Sequence, residues 1–528
     1  MRPPAAGAPT SSGKRAKSNP ELLYSFEGLN HRASRLAENG NAFSGEPADQ
    51  ALCVGNGYIV ESVNSAIRVY NEADGSPASP TLSLNQLYGF APAINRTTGV
   101  FGPFTFDVAC HYDPHSDRWF HLAVDLDQHP TTGAFTGRNY LDLAVSQSGD
   151  PRGAWNVYRI PAINDGSEGT PDHNCAGGPC FGDFPHLGVD RNGVYITTNE
   201  FPLFGDGFNG AQIYAMSKTA LASGASTLDI FLFDTSQPAN DDPNGVLGFT
   251  LWPALHAGTQ FSDSQNGTNY FVSSYGPLFG GGDEMVTWAL SNTASLNTAA
   301  PALKLTSTVN NLSTLYAIPR NSVQKPGTLP YRDLFAPGFP LGTIDTSDAR
   351  VLDARYANGK LWAVLNTAAA VNGKQVAGVT WAILSPKVNS KGVSATRIAD
   401  GILALEDESL AYPTIGVTEA GRGVIGFTRV GPNLHPSTGY ASIDAVAGVG
   451  AVHMIEEGDA PQDGFTEYTS RPRWGDYGAA AVVGQYVYVA NQYIEQDSCT
   501  AAQLLATNCN FTRTSLANWS TRVAKLKP

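Results

Sequence analysis

The sequence predicts an all-β fold: a seven-bladed β-propeller of four-stranded antiparallel blades, with an N-terminal strand closing the last blade. Three observations predict it. A hairpin recurs seven times, the strand after it has a recurring ending, and the last repeat is one strand short.

The clearest hairpin is Gly182–Phe201. Leu187 and Val189, then Val194 and Ile196, flank the turn Asp190-Arg191-Asn192-Gly193, where Gly193 is free to take a positive φ. Its opening, Asp-Phe-Pro-His-Leu-Gly-Val from Asp183, returns as Asp-Tyr-Gly-Ala-Ala-Ala-Val from Asp476. Weaker copies begin at Ala411 and Leu251, and degenerate ones at Asp348, Asp107 and Asp49. The mean spacing of about 71 residues holds four strands of roughly 5–6 residues with their loops. Small residues such as Gly188, Ala479, Ala480 and Gly416 suit the crowded innermost strand, and Trp119, Tyr195, Trp362 and Tyr488 suit the roomier outer ones.

The third strand ends as Ala-Val-Ser at 144–146, Ala-Met-Ser at 215–217, Ala-Leu-Ser at 289–291 and Ile-Leu-Ser at 383–385. An irregular fourth strand follows at Trp155–Ile160, Leu228–Phe233, Ala302–Thr306, Ser394–Ile398 and Ala451–Ile455. The last repeat has three strands, Asp476–Val482, Tyr486–Asn491 and Trp519–Ala524. Leu22–Phe26 supplies its fourth and removes an exposed edge. Residues 1–20 read as a disordered leader and 21–528 as one propeller domain. Long loops enter the inner strands on one face, Asn30–Ala48, Ala91–Phe106, Ala162–Gly182, Asp234–Thr250, Ser307–Ser347 and Glu457–Gly475, and function is expected there.

Charged residues are 15% of the chain, with 55 Gly and 34 Pro, as suits a turn-rich β protein. A net charge of −14 excludes nucleic acid, whose binding needs a basic stripe, and an acidic membrane surface. No apolar run approaches the ~18 residues of a membrane span, and a monomer is expected. Among six cysteines, Cys175–Cys180 and Cys499–Cys509 bracket short polar loops, and Cys53 with Cys110 would join adjacent repeats. Bridges imply an oxidising compartment: secreted, periplasmic or cell surface, with a signal that Met1–Pro20 does not contain. Six free thiols in a cytosolic protein are the alternative. Sequons stand at Asn95, Asn266, Asn311, Asn510 and Asn518.

The hairpin starts carry Asp49, Asp107, Asp183, Asp348 and Asp476, which converge on one mouth of a propeller channel. An acidic ring can bind a hard cation, calcium, or supply paired carboxylates for hydrolysis, with Asp183, Asp476 and His186 as acid/base candidates. Each Asp can equally cap its own blade. Arg350 and Arg473 can clamp a carboxylate, sulfate or sugar acid, or neutralise the ring. Trp474, Tyr477 and Trp252 can stack on a sugar face or pack in the core. His111 and His115 straddle a turn, so no zinc site follows, and Asp241–Gly245 is a weak calcium-loop signal. Nucleophile-elbow, zincin, phosphate-loop and dinucleotide motifs are absent.

Asn95–Pro103, Cys110–Phe120, Gly182–Phe201 and Arg473–Asn491 resemble a family of uncharacterised exported bacterial β-propeller proteins, over nearly the whole chain from about Leu23. That resemblance implies the fold. More loosely, Ser148-Gly-Asp150-Pro-Arg-Gly153-Ala-Trp155, with one residue misplaced, is similar to the Asp-box turn of sialidase-like propellers, but the resemblance does not place the sialidase arginine triad or Tyr/Glu pair residue by residue. Two functions are therefore expected: a sialidase-like or other hydrolase or lyase acting on a polysaccharide or glycoconjugate, or a non-catalytic propeller binding a glycan or a protein ligand.

Overall fold

The computed structural model describes residues 20–528 apart from 44, 237–246, 276–279, 469–470, 497–498, 507–508, 510–512 and 515. The expected leader, the Asp241–Gly245 loop and the Asn510 sequon lie outside the described residues.

Seven antiparallel sheets form the blades of a propeller. Their inner strands are, in order, Ala51–Gly55, Phe104–Asp113, Cys180–Val189, Trp252–Pro253, Val351–Ala357, Ser409–Val417 and Ala479–Val483. Each touches the inner strands of both neighbours, so the ring is continuous. Blade one is the sparest, its fourth strand reduced to Leu82–Ser83. Apolar side chains fill the space between blades: Phe120 and Leu143 of blade two meet Leu187 and Ile196 of blade three. Each such buried side chain contributes roughly 1.5–3 kcal/mol.

Closure follows the expected route. Glu21–Asn30 pairs antiparallel with Ser520–Lys527, Phe26 opposite Val523, and becomes the outermost strand of blade seven. Leu22 packs on the interface with blade six, and the Phe26 ring lies 5.0 Å from Tyr70 of blade one. The helix His31–Gly40 follows, with Asn30 as N-cap accepting the Ala33 N–H at 2.8 Å. It breaks at Ala37, after which Glu38, Asn39 and Gly40 are all left-handed.

Three sequence expectations need correction. Gly193 does not take a positive φ. The turn is held by the Asp190 carboxylate, which accepts the N–H groups of Asn192 and Gly193 at 2.7 and 2.6 Å. A Cβ on Gly193 would fall 2.5 Å from the Tyr195 hydroxyl, so close packing requires the glycine. The fourth strand of blade four is Lys304–Ala317, which absorbs residues expected in a loop. Its Ser, Thr and Asn side chains serve the next blade, as when Asn310 donates to the Ala395 carbonyl at 2.8 Å. The Leu251 copy is split: Trp252–Pro253 pairs within blade four, and Leu255–His256 runs parallel to Arg355 and Tyr356 of blade five.

The described residues contain all three expected disulfides: Cys53–Cys110 between the inner strands of blades one and two, Cys175–Cys180 and Cys499–Cys509. Among the described residues no helix is long and apolar enough to cross a membrane.

A second seven-fold device was not legible in the sequence. At every junction a polar side chain of one blade grips the chain that leads into the next inner strand. Asn64 accepts the Asp107 N–H at 2.8 Å, Asn139 donates to the Cys180 carbonyl at 2.8 Å and Asn199 accepts the Thr250 N–H at 2.8 Å. Ser274 donates to the Ala349 carbonyl at 2.8 Å, and Asn366 accepts the Tyr412 N–H at 3.1 Å. Thr428 accepts the Trp474 indole N–H at 3.3 Å, and Gln492 accepts the Ala48 N–H at 3.3 Å. At the same places Asp49, Asp107, Phe184, Thr250, Ser347, Tyr412 and Gly475 all have left-handed backbone. For the six that are not glycine this conformation is strained by roughly 1–3 kcal/mol each, and for β-branched Thr250 it is a genuine outlier.

Candidate functional site

These kinks turn the start of each inner strand over one mouth of the channel. There the carboxylate oxygens of Asp49, Asp107 and Asp476 lie within 4.8 Å of one another. Asp49 is engaged on both oxygens, accepting the Asp476 N–H at 2.6 Å and the Asn64 amide at 2.7 Å. Asp476 is gripped by Arg473 at 2.7 and 2.6 Å. Asp107 is only 5% exposed, yet its carboxylate accepts no hydrogen bond among the described residues. Burial, then Asp183, Asp49 and Asp476, push its carboxyl well above the usual range. Burial and then Asp476 push Asp49 up to about 7 and the half-buried Asp183 up to about 6.

Asp348 stands apart from the trio. Burial would raise its carboxyl, but Arg350 holds it below the usual range through a two-pronged pair at 2.9 and 2.7 Å. The Arg350 guanidinium also lies 4.8 Å from the Phe184 ring and feels Asp476 and Asp183. Both expected arginines are thus at the mouth, each engaged with the aspartate nearest it in sequence.

Beneath the mouth is an aromatic box. His186 stacks on Trp252 with ring centroids 3.7 Å apart, Phe184 meets His186 edge-on at 4.7 Å, and Tyr477 closes the box, its hydroxyl donating to the Val108 carbonyl at 3.1 Å. The His186 Nε2 is buried without a partner, and burial, then Arg350, hold the ring far from protonation. Below the box is a cavity of about 60 Å³. It reaches Arg355, which donates to Asp353 at 2.9 Å and to the Ile415 and Ala480 carbonyls at 2.7 and 2.8 Å. The channel is therefore not lined by small apolar residues alone. Asp353 and Arg355 were missed, although alternation along an inner strand places both on one face.

Trp474 is not in the box. It is fully buried among Ile344, Tyr412 and Val430, where its indole forms the grip on Thr428. His173, beside the Cys175–Cys180 loop, pairs with Glu200 at 2.9 Å. The Asp-box-like stretch is the turn between the third and fourth strands of blade two. Its Asp150 holds Arg152, and its Gly149 carbonyl accepts the Trp119 indole N–H at 2.9 Å.

No protein-family model and no curated protein sequence matches the chain. Solved structures do. A protein of unknown function from Dyadobacter fermentans aligns over 96% of this chain and 99% of its own, at 10% identity and a TM-score of 0.36. The phage phi92 endosialidase aligns over 78% of this chain and 65% of its own, at 11% identity and a TM-score of 0.32. A Trypanosoma rangeli sialidase aligns over 79% of this chain and 54% of its own, at 9% identity and a TM-score of 0.33.

Proposed function

We propose that this protein is an extracytoplasmic, carbohydrate-active propeller that holds a calcium ion at its acidic mouth and engages a polysaccharide or glycoconjugate there. The observation that carries the reading is Asp107. Among the described residues Asp107 has no protein donor and faces two more carboxylates within 4.8 Å at the mouth, where like charges repel. A hard cation with oxygen ligands relieves both the missing bond and the repulsion. Magnesium fits less well, because it demands near-ideal octahedral geometry. Calcium keeps part of its shell for solvent, where vicinal sugar hydroxyls can replace water.

Size favours binding at the mouth over entry into the channel. The cavity of about 60 Å³ beneath the box admits an ion or a water, whereas small-molecule pockets measure roughly 300–1,000 Å³. Three disulfides support an oxidising compartment.

The deciding experiment is thermal melting with calcium and with a chelator, followed by glycan binding under both conditions. Calcium is expected to raise the melting temperature and to be required for glycan binding, with Asp107→Asn abolishing both effects. Identical melting curves would remove the cation from the reading. Hydrolysis or lysis is the second reading, favoured by Asp183, the half-buried carboxyl of the mouth, standing beside Asp476 in the grip of Arg473. Release of reducing ends from a polysaccharide by the wild type but not by Asp183→Asn would establish it.

A further inference from the structure

One corner of blade three gathers four side chains that can ligate zinc around a single disulfide. Cys180 opens the inner strand Cys180–Val189, and Glu200 stands opposite Gly182 on the next strand, Gly193–Pro202. Residues two apart on a strand share a face, and so do residues directly opposite, which brings Glu200 to the Cys180 side of the sheet. His173 and Cys175 come from the long loop that enters the inner strand. The Sγ atoms of Cys175 and Cys180 and a carboxylate oxygen of Glu200 lie within 4.8 Å of one another. The His173 Nδ1 stands 2.9 and 3.2 Å from the two Glu200 oxygens.

These spacings suit a tetrahedral ion. Zinc bonds of about 2.0 Å to nitrogen and oxygen set an N···O edge of about 3.3 Å, and bonds of about 2.3 Å to sulfur set an S···S edge of about 3.8 Å. The carboxylate and the imidazole are also held in place. The Asn164 and Asn209 amides donate to Glu200 at 2.6 and 2.7 Å, and the His173 N–H donates to the Asn164 carbonyl at 2.9 Å. Outer partners of this kind orient metal ligands. In the disulfide form the hydrogen bond to Glu200 holds the His173 ring above its ordinary pKa, so an imidazolium balances the buried carboxylate.

This bridge is also the one most open to a reductant. Cys175 is half-buried, in a loop whose Ala176, Gly177 and Gly178 are exposed. Cys53, Cys110, Cys499 and Cys509 are all buried.

We infer that Cys175, Cys180, His173 and Glu200 form a redox-gated zinc site, closed by the disulfide and opened by a dithiol. The dithiol gives two electrons and two protons to the Cys175–Cys180 bond and becomes a disulfide itself. Zinc then releases both thiol protons and the His173 Nδ1 proton to solvent, and takes two thiolates, one imidazole and one carboxylate. Thiolates are soft ligands and do not suit calcium, so the site is chemically separate from the acidic mouth and does not rest on it. Cys180 lies three residues before Asp183, so either closure, covalent or metallic, fixes the strand that carries that carboxylate to the mouth.

Zinc itself is the probe. The full chain is reduced with limiting dithiothreitol, desalted under nitrogen and titrated with zinc in excess calcium. The reduced chain should bind zinc in a one-to-one complex, and the unreduced chain should not. Cobalt in place of zinc should give a thiolate charge-transfer band and the visible bands of a tetrahedral centre. Peptide mapping after alkylation should find Cys175 and Cys180 reduced first and protected by zinc. Cys175→Ser should abolish the charge-transfer band. His173→Gln, at a side chain only 10% exposed but outside the sheet, should weaken zinc about tenfold or more. Asp107→Asn should leave zinc binding unchanged. Folded reduced wild type without zinc, equal binding before and after reduction, protection of other cysteines instead, or full affinity in either variant would overturn the assignment.

Discussion

Lys525 and Glu72 form an ion pair of 3.1 Å across the seam between the last blade and the first. Glu72 also receives the hydroxyls of Tyr24, on its carbonyl, and Tyr488, on its carboxylate. The Lys525 ammonium lies 4.5 Å from the Tyr486 ring. The N-terminal strand is thus tied both to its own blade and to the next one.

Removing residues 1–28 is expected to destabilise the protein, since the half-buried Leu22, Tyr24 and Phe26 leave the seam. It also bares the edge of Ser520–Lys527, inviting aggregation. Melting and size-exclusion profiles, compared with removal of residues 1–19, test this. Equal melting temperatures would sink the closure argument.

The three bridges should differ in worth. They enclose sequence separations of 57, 10 and 5 residues, and the chain-entropy relation then assigns about 4, 3 and 2 kcal/mol. Paired Cys→Ser variants at 53/110, 499/509 and 175/180 should lose stability in that order in denaturant titrations. Mass spectrometry of unreduced protein should find no alkylatable thiol.

Glu46 accepts the N–H groups of Phe465 and Thr466 and the Gln462 amide, yet burial prevails and pushes its carboxyl up to about 7. An acid raised in the folded state holds a proton that the unfolded chain has lost. Its contribution therefore falls as pH rises from about 4.5 to about 7, a loss of roughly 3 kcal/mol. Glu46→Gln, with Gln462 turning its unpartnered Oε1 toward the new amide, should match wild type near pH 4 and exceed it by that amount at pH 8. His31 acts in the opposite direction. Burial, then Arg513, lower it to about 3, so its contribution is lost as pH falls through 6.5, and only the difference between the two proteins isolates Glu46.

His186→Phe should preserve the stack on Trp252 and remove a buried nitrogen that has no partner. Stability should stay within about 1 kcal/mol of wild type or rise. A large loss on chemical denaturation would mean that the ring makes a polar contact the folded chain needs.

Asp107→Asn should be more stable than wild type in chelator, because one of three crowded carboxylates is neutralised. In calcium the order should reverse, as wild type alone gains a bound ion. A variant less stable in both conditions would show that Asp107 serves the fold and not a cation.

The blade count and the closing strand were legible because inner-strand starts repeat and because an unpaired edge demands a partner. The aspartates at those starts revealed the acidic mouth for the same reason. The sequence leaves Trp474 open between a sugar face and the core, because its packing partners, Ile344 and Val430, are remote in sequence and give no local sign. The kinks at Phe184, Thr250 and Tyr412 were invisible because those residue types avoid left-handed backbone, and only the preceding blade imposes it.

At each junction one grip runs forward from a blade to its successor, the last from Gln492 to Ala48, and Gln50 and Asn491 add two that run back, to the Tyr477 and Tyr412 carbonyls. The forward set is complete around the ring. A blade lifted out would leave its predecessor reaching for a partner that had gone, and its successor without its forward grip. A module copied from this protein carries half of two different joints, so the unit that inheritance can duplicate is a blade together with the grip that precedes it.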